Sequence, residues 1–218
     1  MSTVLAPPAT TWTATDLARR FGAMPLWRFC FDPAPGEATE DDVDRLETQH
    51  DLHCELVDGV LVRKTMGSYE SLLAIEIAAL LREFVKPRKL GWVLGEAGML
   101  RLWPGRVRIP DVSFISRTQT PDGRFPQEQR IADLYPDLAV EILSPANTDE
   151  EMSEKRRDYF QSGTRLVWII DPVKKTAEMY TAADQRTAIT LDGVLTGEPA
   201  LAGLTIPLKT VFDVDGPV

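Results

Sequence analysis

Two carboxylates stand where a chain rarely leaves a carboxylate without a task. Glu141 lies inside the apolar run Leu138–Leu143, and Asp111 follows Pro110 at the head of the short β-type run Val112–Ile115. Strand residues alternate faces, so Leu138, Val140 and Ile142 share one side and Ala139, Glu141 and Leu143 the other. Both sides are otherwise apolar, which reads as a strand covered on both faces. A carboxylate in such a place must raise its pKa, meet a cation or hold a metal.

The elements around them follow from local signals. Ser144–Pro145 stops the strand, because proline cannot extend a ladder. Thr148-Asp149-Glu150-Glu151 has capping-box spacing, with Thr148 as N-cap and Glu151 three residues on. The helix it opens runs to about Gln161 and ends at Ser162–Gly163. Met152, Lys155 and Tyr159 share one face of it, and Lys155 is expected to reach from the margin of that face back toward the strand end. Leu166–Ile170 is a second buried strand, ended by Asp171–Pro172. Strand, helix and strand in this order form a crossover unit with parallel pairing.

Upstream, Thr15–Phe21 is a short helical candidate, and Glu40–His50 an acidic helix capped by Thr39. Cys54–Val62 is a hairpin turning at Asp58–Gly59. Ser68 is expected to cap a helix that ends near Pro87. Gly91 to Leu102 carries one or two strands, Trp103-Pro104-Gly105 is a turn, and Gln119 to Asp133 reads as a polar, mobile connection. Beyond Asp171, Ala177–Tyr180 and a Thr- and Gly-rich tail supply short strands that close at Leu201–Leu208. Residues 1–50 read as an N-terminal extension with short helices, proline-rich before residue 36, and residues 51–218 as the main domain.

The chain has 218 residues, 44% of them hydrophobic, enough for a sizeable core. Its net charge of −9 is opposite in sign to that of most nucleic-acid binders. The charge is unevenly spread. From Glu37 to Asp58 only Arg45 interrupts the acids, whereas Arg82, Lys86, Arg88, Lys89, Arg101, Arg106 and Arg108 face only Glu83 and Glu96. That basic stretch is either a solvated face or a surface for an anionic partner, with Arg106 and Arg108 as its substrate-binding candidates. His50 and His53 are the only histidines, which argues against a zinc centre or a histidine-based triad. Cys30 and Cys54 have neither metal nor redox spacing and are expected to be reduced thiols. No basic, apolar leader or membrane-length run is present, so a cytoplasmic location is expected.

The PD of Pro110–Asp111, a Glu about thirty residues on in a hydrophobic strand, and a nearby lysine together resemble the PD-(D/E)xK nuclease superfamily. The flanks PDLAVEILSP, KRRDYFQSGT and LVWIIDP are similar to those of its Uma-two family of restriction-type endonucleases, from about Leu52 to Leu208. One position departs: the superfamily lysine follows its Glu by two, where this chain has Leu143. The resemblance implies that Lys155 takes its place from the following helix.

It further implies a restriction-endonuclease-like α/β fold, a mixed central sheet flanked by helices, with Asp111, Glu141 and Lys155 catalytic. Asp111, Glu141 and the backbone carbonyl of Ile142 would hold Mg²⁺ or Mn²⁺. Glu70 and Glu55 become supporting candidates, alongside their readings as a helix first-turn carboxylate and a strand-surface residue. Tyr159 would orient the lysine or touch a phosphate. The expected activity is metal-dependent cleavage of DNA, with a homodimer where both strands are to be cut. The alternatives are a catalytically inactive nucleic-acid-binding or scaffold module, or a metal-dependent hydrolase of another phosphoester.

Overall fold

The computed structural model describes residues 12–120 and 122–214; the first eleven residues of the expected extension, and Pro121 of the expected mobile connection, lie outside that range. In chain order the elements are α1 (Ala14–Phe21), β1 (Phe29–Cys30), α2 (Glu40–His50), β2 (Cys54–Val57), β3 (Val60–Arg63) and α3 (Ser68–Arg88). There follow β4 (Gly91–Leu94), β5 (Leu100–Trp103), β6 (Arg106–Arg108), β7 (Val112–Ser116), β8 (Leu138–Ile142), α4 (Asp149–Ser162) and β9 (Leu166–Asp171). β10 (Thr176–Ala182), β11 (Gln185–Ile189), β12 (Val194–Thr196), β13 (Thr205–Pro207) and α5 (Leu208–Phe212) complete the chain.

Two sheets carry the fold. One is mixed, in the order β11-β10-β9-β8-β7-β4, with β8 and β9 parallel across α4 as the crossover rule requires. The other is antiparallel, in the order β1-β3-β2-β6-β5. β2 and β3 turn at Asp58–Gly59, both in the left-handed region (φ 53° and 73°), which is the two-residue hairpin geometry. A Cβ on Gly59 would come within 2.5 Å of the Gly36 carbonyl oxygen, so only glycine fits there.

The alternation along β8 divides the core. Leu138, Val140 and Ile142 join Val112, Phe114, Leu166, Trp168 and Ile170 on one face, under Leu73, Ala74, Ile77, Leu81 and Val85 of α3. Burying each Val, Leu, Ile or Phe among them contributes about 1.5–3 kcal/mol. Ala139 on the opposite face meets Met152 and Tyr159 of α4, with Val167 and Ile169. The second sheet turns Leu56, Leu61 and Val107 toward Val43 and Leu46 of α2, and Val57, Val60 and Val62 toward Leu17 and Phe21 of α1. Residues 12–50 therefore pack into the two apolar clusters of the second sheet.

Some expectations shift. The N-cap of α3 is Gly67, one residue before Ser68, and its side of the helix end is covered by the Glu70 carboxylate. Thr148 accepts the Glu151 N–H (3.1 Å), but Glu151 does not return the capping bond, because its carboxylate is drawn to Arg28 (2.8 Å) and Asn147 (2.9 Å). Cys30 and Cys54, far apart in sequence and spacing, meet in the interior with their sulfurs 3.6 Å apart.

Candidate active site

Asp111 and Glu141 are brought together by strand register. Val112 pairs with Val140 in the antiparallel β7–β8 ladder, so one residue outward Asp111 stands opposite Glu141. Directly opposed residues point to the same face, with Cβ atoms about 5 Å apart. The Asp111 N–H donates to the Val140 carbonyl (3.0 Å) and its Oδ2 accepts the Ile142 N–H (2.6 Å), which fixes the carboxylate against β8. Both acids are 4% exposed. They line one cavity of about 10 Å³ with Glu55, Lys64, Ile142 and Lys155, the room of a single water or small ion.

Each carboxylate is held by cations and donors of this chain. Lys64 Nζ lies 2.9 Å from Asp111 Oδ1 and donates to the Ile109 carbonyl (2.7 Å). Lys155 enters from the second turn of α4, with Nζ 3.0 Å from Glu141 Oε2 and 3.0 Å from Glu55 Oε1. Tyr159, one turn on, donates its hydroxyl to Glu141 Oε1 at 2.5 Å. Leu143, at the usual position of the superfamily lysine, packs instead against the Met152 and Tyr159 cluster. The ammonium of Lys155 reaches the Glu141 carboxylate from the helix above.

The acids differ in their protonation. Burial pushes Glu141 up to about 7, with Asp111 and Glu55 adding to the rise and Lys155 opposing it. Burial would raise Glu55 as well, but Lys155, Arg108 and the Ile109 N–H (3.0 Å) bring it down to about 2. Lys155 is held above its ordinary value, because Glu141, Glu55 and Glu151 outweigh its desolvation. It stays a cation and cannot act as a base. Burial, then Glu141 and Glu55, lift Tyr159 well above the phenol range, so it keeps its proton and donates.

The remaining candidates divide. Glu55 is no strand-surface residue: it is 2% exposed and belongs to the cluster. Glu70 lies over Gly67 at the start of α3 and is absent from the residues lining the cavity. Arg106 and Arg108 correct an expectation. Rather than an open basic face they form an interior layer, because they alternate with Val107 and point toward α4. Arg108 meets Glu55 (2.7 Å) and Asp158 (2.5 Å), and Arg106 meets Asp58 (2.8 Å) and Glu154 (3.3 Å). Buried and paired within the chain, neither guanidinium stands open to a phosphate.

Sequence reasoning missed Lys64, Arg28 and Asn147. Lys64 directly follows β3, and no spacing links it to Asp111. Arg28 binds Glu151 and the carbonyls of Arg63 (2.7 Å) and Ala146 (3.0 Å), closing the cavity's far wall. Among the described residues no three His, Cys, Asp or Glu side chains gather closely enough to enclose a metal by themselves. The donor set is all oxygen. Each oxygen of Asp111 and Glu141 accepts one bond here and keeps further lone-pair capacity. Such a set fits a hard ion that takes one or two carboxylates and completes its shell with water, as Mg²⁺ does.

A family model described as Uma2, putative restriction endonuclease, matches residues 40–209. The chain belongs to the Uma2 family. No curated protein matches it. Among solved structures it is similar to a putative nuclease belonging to DUF820 from Anabaena variabilis ATCC 29413, at 21% identity. That match has a TM-score of 0.69 and covers 81% of this chain and 98% of the other. The fold of this Uma2 protein is thus the restriction-endonuclease-like α/β fold. Among its described residues, no helix is long and apolar enough to cross a membrane.

Proposed function

We propose that this Uma2 protein is a Mg²⁺-dependent endonuclease that hydrolyses DNA phosphodiester bonds at the Asp111–Glu141–Lys155 cluster. The observation that carries the reading is the convergence of Asp111, Glu141 and Lys155 on one small cavity, the two carboxylates in the order of the superfamily motif and the lysine supplied from α4. Asp111, Glu141 and the Ile142 carbonyl would hold the metal. A bound divalent cation supplies charge screening on the phosphate and acidifies an attacking water. Glu141 serves only when ionised, and Lys155 and the Tyr159 hydroxyl hold its two oxygens in place. Lys155, fixed between Glu141 and Glu55, presents a permanent positive charge to the negative charge developing on the phosphoryl oxygens. Glu55 and Arg108 anchor that lysine rather than touching substrate. Lys64 fixes Asp111 from the other side.

A second reading has one observation in its favour. Every acid lining the cavity already has an internal cation: Lys64 on Asp111, Lys155 on Glu141 and Glu55, and Arg28 on Glu151. A network so closed would suit a binding module that keeps the fold without turnover. Crystals soaked in Mn²⁺ separate the two. The nuclease reading expects an anomalous peak bound by Asp111 and Glu141, with Lys64 or Lys155 displaced to admit it. Lysines unmoved and no peak at saturating Mn²⁺ would leave the closed network as the better account.

A further inference from the structure

The fold splits the basic stretch of the sequence. Arg106 and Arg108 go inside, and Arg101 pairs with Glu40 (3.2 Å) and Asp133 (3.0 Å). Arg88 turns back on α3, donating to the Phe84 carbonyl (3.0 Å) and lying 4.0 Å over the Phe84 ring. Arg82, Lys86 and Lys89 remain on the surface at the end of α3, where Arg117 joins them from beyond β7. With Trp92 and Gly91 of β4 they line an open groove of about 280 Å³.

Three features set this groove apart from an ordinary solvated face. First, among the described residues none of its four cations has a carboxylate partner, whereas Arg20, Arg28, Arg101, Arg106, Arg108, Arg130 and Arg165 all do. In a chain of net charge −9 this is a concentration of uncompensated positive charge. Second, the helix end does not consume it. The last carbonyls of α3 are closed by backbone, with Lys89 N–H on Lys86 and Leu90 N–H on Val85 (3.2 Å each). Third, an aromatic side chain borders the groove beside Arg117, packed with Ile115 on the face of β4 away from α3. Trp92 is propped edge-on by Phe125 (centroids 5.6 Å apart) and has the Arg117 guanidinium 5.8 Å from its ring centre. Cations beside a π-face are the combination that holds a nucleic-acid backbone while tolerating any base.

We propose that this groove is a second nucleic-acid contact of the protein. Arg82, Lys86, Lys89 and Arg117 take backbone phosphates and Trp92 offers a stacking face, away from the reacting bond. The proposal rests on the nuclease reading for its substrate. Arg117 follows Asp111 by six residues along β7, about 20 Å of extended chain. A duplex covers that distance in about six base pairs. Longer DNA can engage groove and cavity together, and a small phosphodiester only the cavity.

The test is an Arg82→Ala/Lys86→Ala/Lys89→Ala triple variant, whose changed side chains are exposed, with an unaltered melting curve as the folding control. Binding of a thirty-base single strand and its duplex is measured across a salt series, and hydrolysis of bis(p-nitrophenyl) phosphate in Mn²⁺ alongside. The expected result is a log–log salt slope shallower by roughly two to three, since each phosphate contact contributes about 0.7 for single strands and 0.9 for duplex. Hydrolysis of the small ester should not change. A slope equal to the wild type on both nucleic acids overturns the groove, and so does groove-dependent binding of polyglutamate with none of DNA. If the wild type never hydrolyses the small ester while the slope still falls, the groove stands and the nuclease reading fails.

Discussion

The protein keeps two populations of cations, and they behave oppositely. Beneath α4, Arg28, Arg106, Arg108, Lys64 and Lys155 are at most partly exposed and each meets a carboxylate of the same chain. At the end of α3, Arg82, Lys86, Lys89 and Arg117 are exposed and line a groove. In sequence Lys89 and Arg108 read alike, as members of one basic run. In the fold one is available to a partner and the other holds the interior together. What distinguishes them is the facing surface. α4 presents Glu151, Glu154 and Asp158 toward the arginine-bearing sheet while its Met152 and Tyr159 pack on the other.

The comparison breaks most visibly through Arg108. Arg108→Ala leaves Glu55 and Asp158 buried without their shared cation, and stability should fall by about 3–5 kcal/mol in urea melts. A loss under 1 kcal/mol would show that the interior layer is solvated after all. Activity should fall too, because Glu55 no longer fixes Lys155 from a stable position.

How far the sequence reached follows the same division. The elements β8, α4 and β9 were legible because their signals are local: alternation along β8, a cap at Thr148, a stop at Gly163. The parallel β8–β9 pair followed from the strand–helix–strand order. The family resemblance implied that Asp111 and Glu141 share one site, but not the antiparallel β7–β8 register that sets them opposite each other. Contacts between the two sheets were not legible. Glu55 and Arg108 read as surface because each alternates with apolar neighbours on a strand, and nothing local says that a charged helix covers them. The capping role assigned to Glu151 failed for the same reason, since Arg28 competes for its carboxylate from over a hundred residues away. Lys64 carries no signal at all.

A smaller effect comes from protonation within the interior layer. Folded Glu141 keeps its proton to about pH 7 against an ordinary value of 4.5. Between those values the folded chain binds more protons than the unfolded one, so this group's contribution to stability falls as pH rises and levels above 7. Glu55, lowered to about 2, contributes stability above its ordinary 4.5 that is lost as pH falls through 2. In chelator, Glu141→Gln should flatten the decline of melting temperature between pH 4.5 and 7 and leave the acid limb intact. An unchanged decline would assign the proton to another group.

The smallest effect belongs to the groove. Alanine at Arg82, Lys86 or Lys89 should alter stability by no more than about 0.5 kcal/mol, as expected of exposed side chains without partners. A cost near that of Arg108→Ala would mean that these cations, too, are structural, and would erase the contrast.

The most direct measurement is nicking of supercoiled plasmid by the wild type, Glu141→Ala and Lys155→Ala, purified side by side, in Mg²⁺ and in Ca²⁺. The wild type should nick in Mg²⁺ and little in Ca²⁺, which accepts the same oxygen donors with looser geometry. Glu141→Ala should bind DNA and not cut it. Lys155→Ala should cut more slowly by roughly two orders of magnitude or more, having lost a fixed charge at the reacting phosphate. A wild type that binds plasmid and never nicks it with any divalent metal, or variants that cut as fast as the wild type, would contradict the assignment of catalysis to Asp111, Glu141 and Lys155.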